Sequence, residues 1–207
     1  MPTIERIEKS KHKRERVLVF LQEGELLRIT QQELLRFGLC RGMTLSDEEV
    51  AALRAAADRS QTRAEAAAMA ARQMLSKKEL CRRLEKKGAA QEAAAETADW
   101  LEELGAVDDA AFAGVIARHY GALGYGARRV QQELQRRGIP RELWEEALRQ
   151  LPPPQEAIAA YLQGKLRGGA LDDAAAKKLS SALLRRGFSW SDIRPALNAL
   201  GQEIDED

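Results

Sequence analysis

Apolar residues in most of this chain recur at helical spacing, and glycine interrupts them at regular intervals. The pattern leucine, any residue, two basic residues and glycine occurs three times, at 84–88, 134–138 and 183–187. Each leucine follows another apolar residue four positions earlier, and residues four apart share one face of a helix. Basic residues followed by glycine are typical of a helix C-terminus. The three glycines are 138 − 88 = 50 and 187 − 138 = 49 residues apart, which predicts a repeated helical unit.

Further apolar residues at helical spacing surround each glycine, so each unit is predicted to contain three helices. Two prolines bear on where helices start. Pro140 is predicted in the first turn of a helix, and Pro195 suggests that the last helix starts later in the chain than the apolar pattern alone indicates. Gly121, Gly124 and Gly126 are predicted to form one turn between helices, and Gly168-Gly169 another. The apolar contacts expected are Trp100, Leu101 and Leu104 in the first unit, Phe112, Val115, Ile116, Tyr120, Ile139, Leu143, Trp144 and Leu148 in the second, and Ile158, Tyr161, Leu162, Phe188, Ile193 and Leu197 in the third.

The first 29 residues differ from the rest. They combine a loosely alternating stretch at 3–7, a β-branched apolar run at 17–21 and a turn signal at Glu23-Gly24 before the stretch 26–29. This pattern predicts an antiparallel sheet of two or three strands. Lys9, Lys11, Lys13 and Arg14 lie in a basic loop, interpreted as a solvated hairpin turn, with a contact to nucleic acid or a partner as the alternative. The abrupt change near residue 30 suggests an accessory element.

Helix starts are marked by three capping boxes, in which Ser or Thr is followed three residues later by Glu, at 30–33, 46–49 and 76–79. The first begins a short helix ending near Gly38. The second begins an alanine-rich helix that either continues to about residue 74 or breaks near Ser60; the pattern leaves both open.

The predicted fold is therefore mainly α: three tandem three-helix repeats, joined end to end in an elongated array that can curve, behind a small antiparallel β element. The expected domains are a β element with a short helix (1–45), a long helix with the first repeat (46–106), the second repeat (107–151), the third repeat (155–201) and a frayed acidic tail (202–207). Pro152-Pro153-Pro154 is the clearest break.

Composition narrows the classes of function. Lys+Arg 33 against Asp+Glu 32 gives a net charge of +1, so only local clustering of charge can indicate a nucleic-acid or acidic partner. Cys40 and Cys81 form neither a metal-ligand pattern nor a disulfide framework, which favours a reduced, cytoplasmic chain. Neither a membrane-spanning stretch nor a signal peptide is expected.

Residues suited to catalysis do not form a motif. His12 and His119 have neither a nucleophile nor metal ligands at motif spacing, and we interpret His119 as a surface or packing residue. Asp108-Asp109 and Asp172-Asp173 precede alanine-rich helices, where helix capping explains them. The glycines at 121–126 lack the preceding strand of a phosphate-binding loop. We therefore predict a protein that is not an enzyme and uses neither a cofactor nor a metal.

Basic residues are the more informative polar pattern. Three positions of the repeat are basic in every unit. Helical geometry places the first two, Lys78 and Lys86 in the first unit, on the face opposite the stripe formed by Leu80 and Leu84, the leucine stripe. The candidate partner-binding residues are Lys78, Arg82, Lys86, Arg128, Arg129, Arg136, Arg137, Lys177 and Arg185. They form either a solvated face or a row of positive patches that meets a long acidic partner. Because stacking aromatics are absent between them, binding to single-stranded nucleic acid is disfavoured as the main function.

Several of these motifs resemble the RecX regulators of the RecA recombinase. The stretch 105–113 has the form Gly-x-x-Asp-Asp-x-x-Phe-Ala in register with the repeats, and the similarity extends over about residues 64–200. The residues that carry it are 76–80, 87–88, 104–113, 124–130, 133–134 and 137–139. The β element resembles an extension of some members from Gram-positive bacteria. One departure is Ala89, where the other units have Ile139 and Phe188.

This resemblance implies tandem three-helix repeats and a regulator, expected to be monomeric, that binds the RecA filament on single-stranded DNA. It further implies that the protein lowers RecA's recombinase, ATPase and co-protease activities and thereby modulates DNA repair and the SOS response. A weak contact with DNA is left open. Two alternatives remain from the residues themselves: a helical module that binds DNA phosphates directly, and a helical scaffold that binds neither.

Overall fold

A computed structural model describes residues 1–11, 16–22, 24–166 and 172–205, with side chains omitted at 173 and 200–205. The predictions for His12, Lys13, Arg14, Glu23 and Gly168-Gly169 lie outside these residues. Within them the chain is mostly helical, with one small antiparallel sheet near its start, as the pattern predicted.

The N-terminal sheet has three strands in the order β1-β2-β3: β1 (Ile4–Lys9), β2 (Arg16–Leu21) and β3 (Leu26–Thr30). Val17 pairs with Lys9 on one side and with Ile29 on the other. Alternate residues of β2 and β3 point into a core that also contains Val50 and Leu53 of the following long helix. Because so small a sheet needs cover, this shared core corrects the view of the first 29 residues as an accessory element.

Two capped helices follow the sheet, α1 (Gln31–Arg36) and α2 (Asp47–Ala70). Thr30 and Ser46 cap them, each accepting a hydrogen bond from the glutamate backbone N–H three residues later, with the reciprocal glutamate bond also present. Helix α2 is continuous through Ser60, which settles the alternative that the pattern left open.

The remaining helices occur in the predicted repeating order. They are α3 (Lys77–Glu85) and α4 (Gln91–Glu103), then α5 (Asp109–Ala122), α6 (Ala127–Arg137) and α7 (Trp144–Leu148), then α8 (Pro154–Leu166), α9 (Asp173–Arg185) and α10 (Trp190–Asp205). A 3₁₀ turn at Arg141–Leu143 precedes α7.

All three motif glycines adopt the left-handed conformation that ends a helix. Their φ angles are +97° at Gly88, +73° at Gly138 and +91° at Gly187. The two apolar residues before each glycine are buried: Leu80 and Leu84, Val130 and Leu134, Leu179 and Leu183. Each repeat therefore has the predicted helix end at a left-handed glycine, called the glycine stop below, and the predicted leucine stripe of buried apolar residues.

Several local predictions are wrong. Leu104 is 62% exposed and Val115 38% exposed, because each lies on the outer side of its helical turn. Gly121 belongs to α5 rather than to the turn after it. Pro140 precedes the 3₁₀ turn instead of lying in the first turn of an α-helix.

The C-terminal helix also departs from expectation. Pro195 lies inside α10, which begins at Trp190, so the helix starts no later than the pattern suggested. Pro195 is the sixth residue of α10, so it removes one backbone hydrogen bond from the second turn of the helix. The helix continues to Asp205, into the stretch expected to be frayed.

Two compact units are present. One comprises Met1–Gln73 and Leu80–Ala106, and the other comprises Met74–Glu79 and Val107–Asp207. The first contains the core shared by the sheet and α2. The second contains one core around Phe112, Ile116 and Leu134 and another around Ile158, Leu183 and Ile193.

Candidate partner-binding surface

Eight of the nine candidate basic residues are exposed, and Arg137 is half-buried. Arg82 and Lys86 belong to the first unit and the other seven to the second. Exposure alone does not separate a binding residue from a solvated one, so the internal contacts of each side chain decide which are available to a partner.

Arg136 and Arg137 both bind Glu133, a carboxylate whose side chain is only 7% exposed. Arg136 makes two hydrogen bonds to it, from Nε to Oε2 at 2.8 Å and from Nη2 to Oε1 at 2.5 Å. Arg137 donates from Nε to Oε1 at 2.8 Å. Its guanidinium also lies 5.6 Å from the centre of the Phe112 ring. These two arginines therefore stabilise the second repeat, whatever else they contact.

The arginine pair has an electrostatic consequence. The hydrogen bond from Arg136 is the largest influence on Glu133 and lowers its pKa from 4.5 to about 2, opposed by burial and assisted by Arg137. Glu133 lies three and four residues before the two arginines, a helical spacing that favours ion pairs. That spacing is a signal for this contact in the sequence, and it was not among the patterns from which the candidate residues were predicted.

Arg128 and Arg129, at the start of α6, are more available. The Arg128 side chain is exposed, and among the described residues no carboxylate forms an ion pair with it. Arg129 makes one long contact, from Nη1 to Gln132 Oε1 at 3.4 Å, and lies 6.0 Å from the Tyr125 ring. Two adjacent arginines in the first turn also oppose the positive end of the helix dipole, so helix stability does not explain their position.

The start of α6 rests on the glycine stop of the third repeat. The Gly126 N–H donates to the Arg186 carbonyl at 2.9 Å, and the Arg128 N–H donates to the Gly187 carbonyl at 3.1 Å. A Cβ on Gly126 would lie 2.5 Å from the Gly187 carbonyl oxygen, so only glycine permits this approach.

The start of α3 rests on the stop of the second repeat in a related way. Ser76 Oγ donates to the Arg137 carbonyl and accepts from the Glu79 N–H at 3.1 Å. The Lys77 N–H donates to Asp109 Oδ1 at 2.9 Å. A Cβ on Gly138 would lie 2.7 Å from the Lys78 Cδ, which shows how closely the Lys78 stem covers that glycine. In the second and third repeats the motif is therefore a joint with another helix as well as a helix end.

Arg186 occupies the position of the repeat that is Lys87 in the first unit and Arg137 in the second, and its side chain takes part in the joint of the third repeat. Its Nη1 donates to the carbonyls of Leu123 and Gly124, both at 3.1 Å. Its guanidinium lies 5.1 Å from the Tyr125 ring and 4.7 Å from the Tyr161 ring. Lys177 and Arg185, by contrast, are exposed on α9.

The acidic pairs and the histidine have structural surroundings. Asp108 and Asp172 cap α5 and α9, accepting from N–H groups three residues later at 2.8 and 2.6 Å. Asp109 accepts from Lys77, and His119 is exposed with its ring edge against Tyr120. Neither Cys40 nor Cys81 forms a disulfide in the described part of the chain. Within the described ranges, no group of three His, Cys, Asp or Glu residues could hold a metal ion.

Among the helices of the described part of the chain, none combines the length and apolar character needed to cross a bilayer.

Comparisons with known proteins agree with the repeat architecture. A family profile described as "RecX, second three-helix domain" matches residues 108–148. The chain is 31% identical over 213 residues to "Regulatory protein RecX" of Enterococcus faecalis, covering all of this chain and 79% of that protein. It is 28% identical to the Bacillus licheniformis protein of the same name, covering all of this chain and 80% of the relative.

Two solved structures share the fold. A crystal structure of a regulatory protein RecX has a TM-score of 0.76 at 21% identity, covering 96% of this chain and all of the other. That of RecX from Lactobacillus salivarius has a TM-score of 0.61 at 20% identity, covering 72% and 98%. Fold and joints together define a protein built of tandem three-helix repeats. By its similarity to the Enterococcus protein, the chain belongs to the RecX family of regulatory proteins.

Proposed function

We propose that this chain binds the RecA filament on single-stranded DNA in the cytoplasm and lowers its recombinase, ATPase and co-protease activities, so modulating DNA repair and the SOS response. The observation that carries the proposal is membership of the RecX family over the whole chain. The protein acts by binding as a monomer, without catalysis of its own.

The contact surface is proposed to lie among the basic residues that the fold leaves available. Arg128, Arg129, Lys177 and Arg185 are exposed in the second unit. Lys78 adds an exposed ammonium beside Gly138. Arg82 and Lys86 supply positive charge on the first unit. Arg136 and Arg137 contribute the outer side of guanidinium groups whose inner side holds Glu133. Positive patches of this kind complement an acidic protein surface and increase the rate of encounter with it.

The contacts of Arg136 and Arg137 with Glu133 determine which variant can test the surface. Replacing Arg136 with glutamate would place two carboxylates around one buried site, so loss of function in that variant would not distinguish binding from folding. The double variant Arg128→Glu/Arg129→Glu keeps the Glu133 cluster intact. The matched control is Arg41→Glu/Arg72→Glu, which changes net charge equally at exposed positions outside the surface.

RecA ATPase on single-stranded DNA, titrated with the wild-type chain and both variants, tests the proposal. We expect the wild type to inhibit and the Arg128/Arg129 variant to need well over tenfold more protein, about 1.4 kcal/mol or more. The control variant should inhibit like the wild type. Absence of inhibition by the wild type contradicts the function, whereas equal inhibition by a folded Arg128/Arg129 variant contradicts only the surface.

The alternative is a helical module that acts on DNA phosphates directly, favoured by the same exposed arginines. Binding to naked single-stranded DNA across salt concentrations separates the two. A steep salt dependence that is lost in the Arg128/Arg129 variant, with RecA inhibition unchanged, would support the alternative.

A further inference from the structure

The glycine stops of the second and third repeats are each covered by the N-terminus of another helix. At both stops a small residue, Ser76 or Gly126, directly precedes the covering helix, and the first turn of that helix carries two adjacent basic residues, Lys77-Lys78 or Arg128-Arg129. Each helix start donates a hydrogen bond to a carbonyl of the stop. Ser76 Oγ donates to the Arg137 carbonyl, and the Gly126 N–H donates to the Arg186 carbonyl. This joint pairs the negative end of one helix with the positive end of another.

The stop of the first repeat has the same sequence motif and the same backbone, but no such cover. Gly88 has φ +97°, and no other side chain or backbone atom of the described residues lies within 4 Å of the position of a Cβ on it. Lys87 and Gly88 are exposed, and in the part of the chain that the structure describes no donor reaches their carbonyls. Gly187, at the third stop, is buried. The first stop therefore presents its carbonyls to solvent.

A groove of about 620 Å³ adjoins this open stop. Several alanines line it, among them Ala89, which occupies the position that is Ile139 and Phe188 in the other repeats. Its charged lining is mainly acidic: Asp58, Glu65, Glu92 and Glu96 against Arg59 and Lys87, and Lys87 is paired with Glu65 at 3.4 Å. The acidic side chains add to the negative end of α3, so the groove complements a basic helix N-terminus.

We propose that the groove at Gly88 is a docking site for a helix N-terminus of a partner protein. The partner helix begins with glycine or serine and carries two lysines or arginines in its first turn, as α3 and α6 do. Its first N–H groups bind the carbonyls of Lys87 and Gly88, and its basic side chains face Glu92 and Glu96. The groove shares no lining residue with the basic surface proposed to meet RecA.

A second copy of this chain does not supply that helix. The third repeat would have to provide it, but α9 begins ten residues before its leucine (183 − 173 = 10), whereas α3 and α6 begin seven before theirs (84 − 77 = 7 and 134 − 127 = 7). The residue equivalent to Ser76 and Gly126 is Ala175, whose N–H is already bound by Asp172. The start of α9 is also acidic, so it would be repelled by the groove.

The test uses the ¹⁵N-labelled full chain and an acetylated peptide with the sequence of residues 126–137, which begins Gly-Ala-Arg-Arg. We expect saturable amide shift changes at Gly88, Ala89 and Glu92. A peptide with both first-turn arginines replaced by glutamate should bind at least about tenfold more weakly.

Protein variants check that the groove is responsible. Glu92 and Glu96 are exposed on α4, so Glu92→Lys/Glu96→Lys should preserve the helical circular dichroism signal and reduce peptide affinity at least about tenfold. Glu103→Lys, at the other end of α4, should bind like the wild type. Three outcomes overturn the proposal: no shift at Gly88 at millimolar peptide, shifts confined to Gly187, or equal binding by the Glu92/Glu96 variant.

Discussion

Glutamine in place of Glu133 tests whether one buried carboxylate holds the second repeat together. The variant keeps the shape of the side chain and removes the charge to which Arg136 and Arg137 bind. Because Glu133 is only 6% exposed, water does not substitute for the lost ionic contacts.

The pKa of Glu133 sets the scale of the loss. Its fall from 4.5 to about 2 is a difference of about 2.5 units. At about 1.36 kcal/mol per unit, the fold favours the ionised form by about 3 kcal/mol. Glutamine still accepts one hydrogen bond but turns its NH₂ group toward a guanidinium, so we expect Glu133→Gln to lower the free energy of unfolding by about 2–3 kcal/mol at pH 7.

Urea unfolding followed by circular dichroism, repeated between pH 7 and pH 2, measures this effect. A carboxylate whose pKa is lower in the folded state stabilises fully above its unfolded pKa and loses that effect as pH falls. The stability difference between wild type and variant should therefore be constant above about pH 5.5 and shrink between about pH 4.5 and pH 2.

The exposed pair Glu145–Arg149 provides the control. Its carboxylate side chain is 80% exposed, so Glu145→Gln should unfold like the wild type at every pH. A pH-independent difference for Glu133→Gln would refute the electrostatic account and indicate a packing effect. Stability equal to that of the wild type at pH 7 would refute the role of the cluster altogether.

Three further perturbations test the fold. Leu134 is fully buried in the second repeat, so Leu134→Ala should cost about 2–5 kcal/mol in urea unfolding, and a change below about 0.5 kcal/mol would show that the helical register is wrong. Gly88 and Gly187 share a left-handed backbone, but a Cβ on Gly187 would overlap the Arg129 backbone nitrogen. Gly187→Ala should therefore lower the melting temperature more than Gly88→Ala, and equal effects would contradict the close joint. Deleting residues 1–43 uncovers Val50 and Leu53, which share a core with the sheet. We expect that fragment to lose cooperative unfolding, whereas a melting curve like that of the full chain would show that the sheet is dispensable.

Local signals explain why much of the fold was predictable. The left-handed glycines, the capping boxes at Thr30 and Ser46 and the pairing of the strands each depend on residues a few positions apart. Leu104 was mispredicted because helical spacing alone does not identify which apolar residue faces outward at the last turn.

The joints were not predictable, because their partners are far apart in sequence. Ser76 and Arg137, for example, are separated by 61 residues. The same limit applies to the candidate surface. The basic residues were evident in the sequence, but it did not show that Arg186 lies between two tyrosines whereas Arg128 is exposed.

The joints also give the repeat array a direction and limit how it can grow. In the second repeat, the N-terminus of α6 covers the glycine stop of the third repeat, and the stop at Gly138 is itself covered by the N-terminus of α3. The glycine stop of the third repeat can be covered by another helix, but the additional N-terminal turn of α9 prevents that helix from covering the stop of a further repeat. Tandem duplication of the middle repeat would therefore create a compatible junction on both sides, whereas a copy appended after the third repeat would meet a closed end.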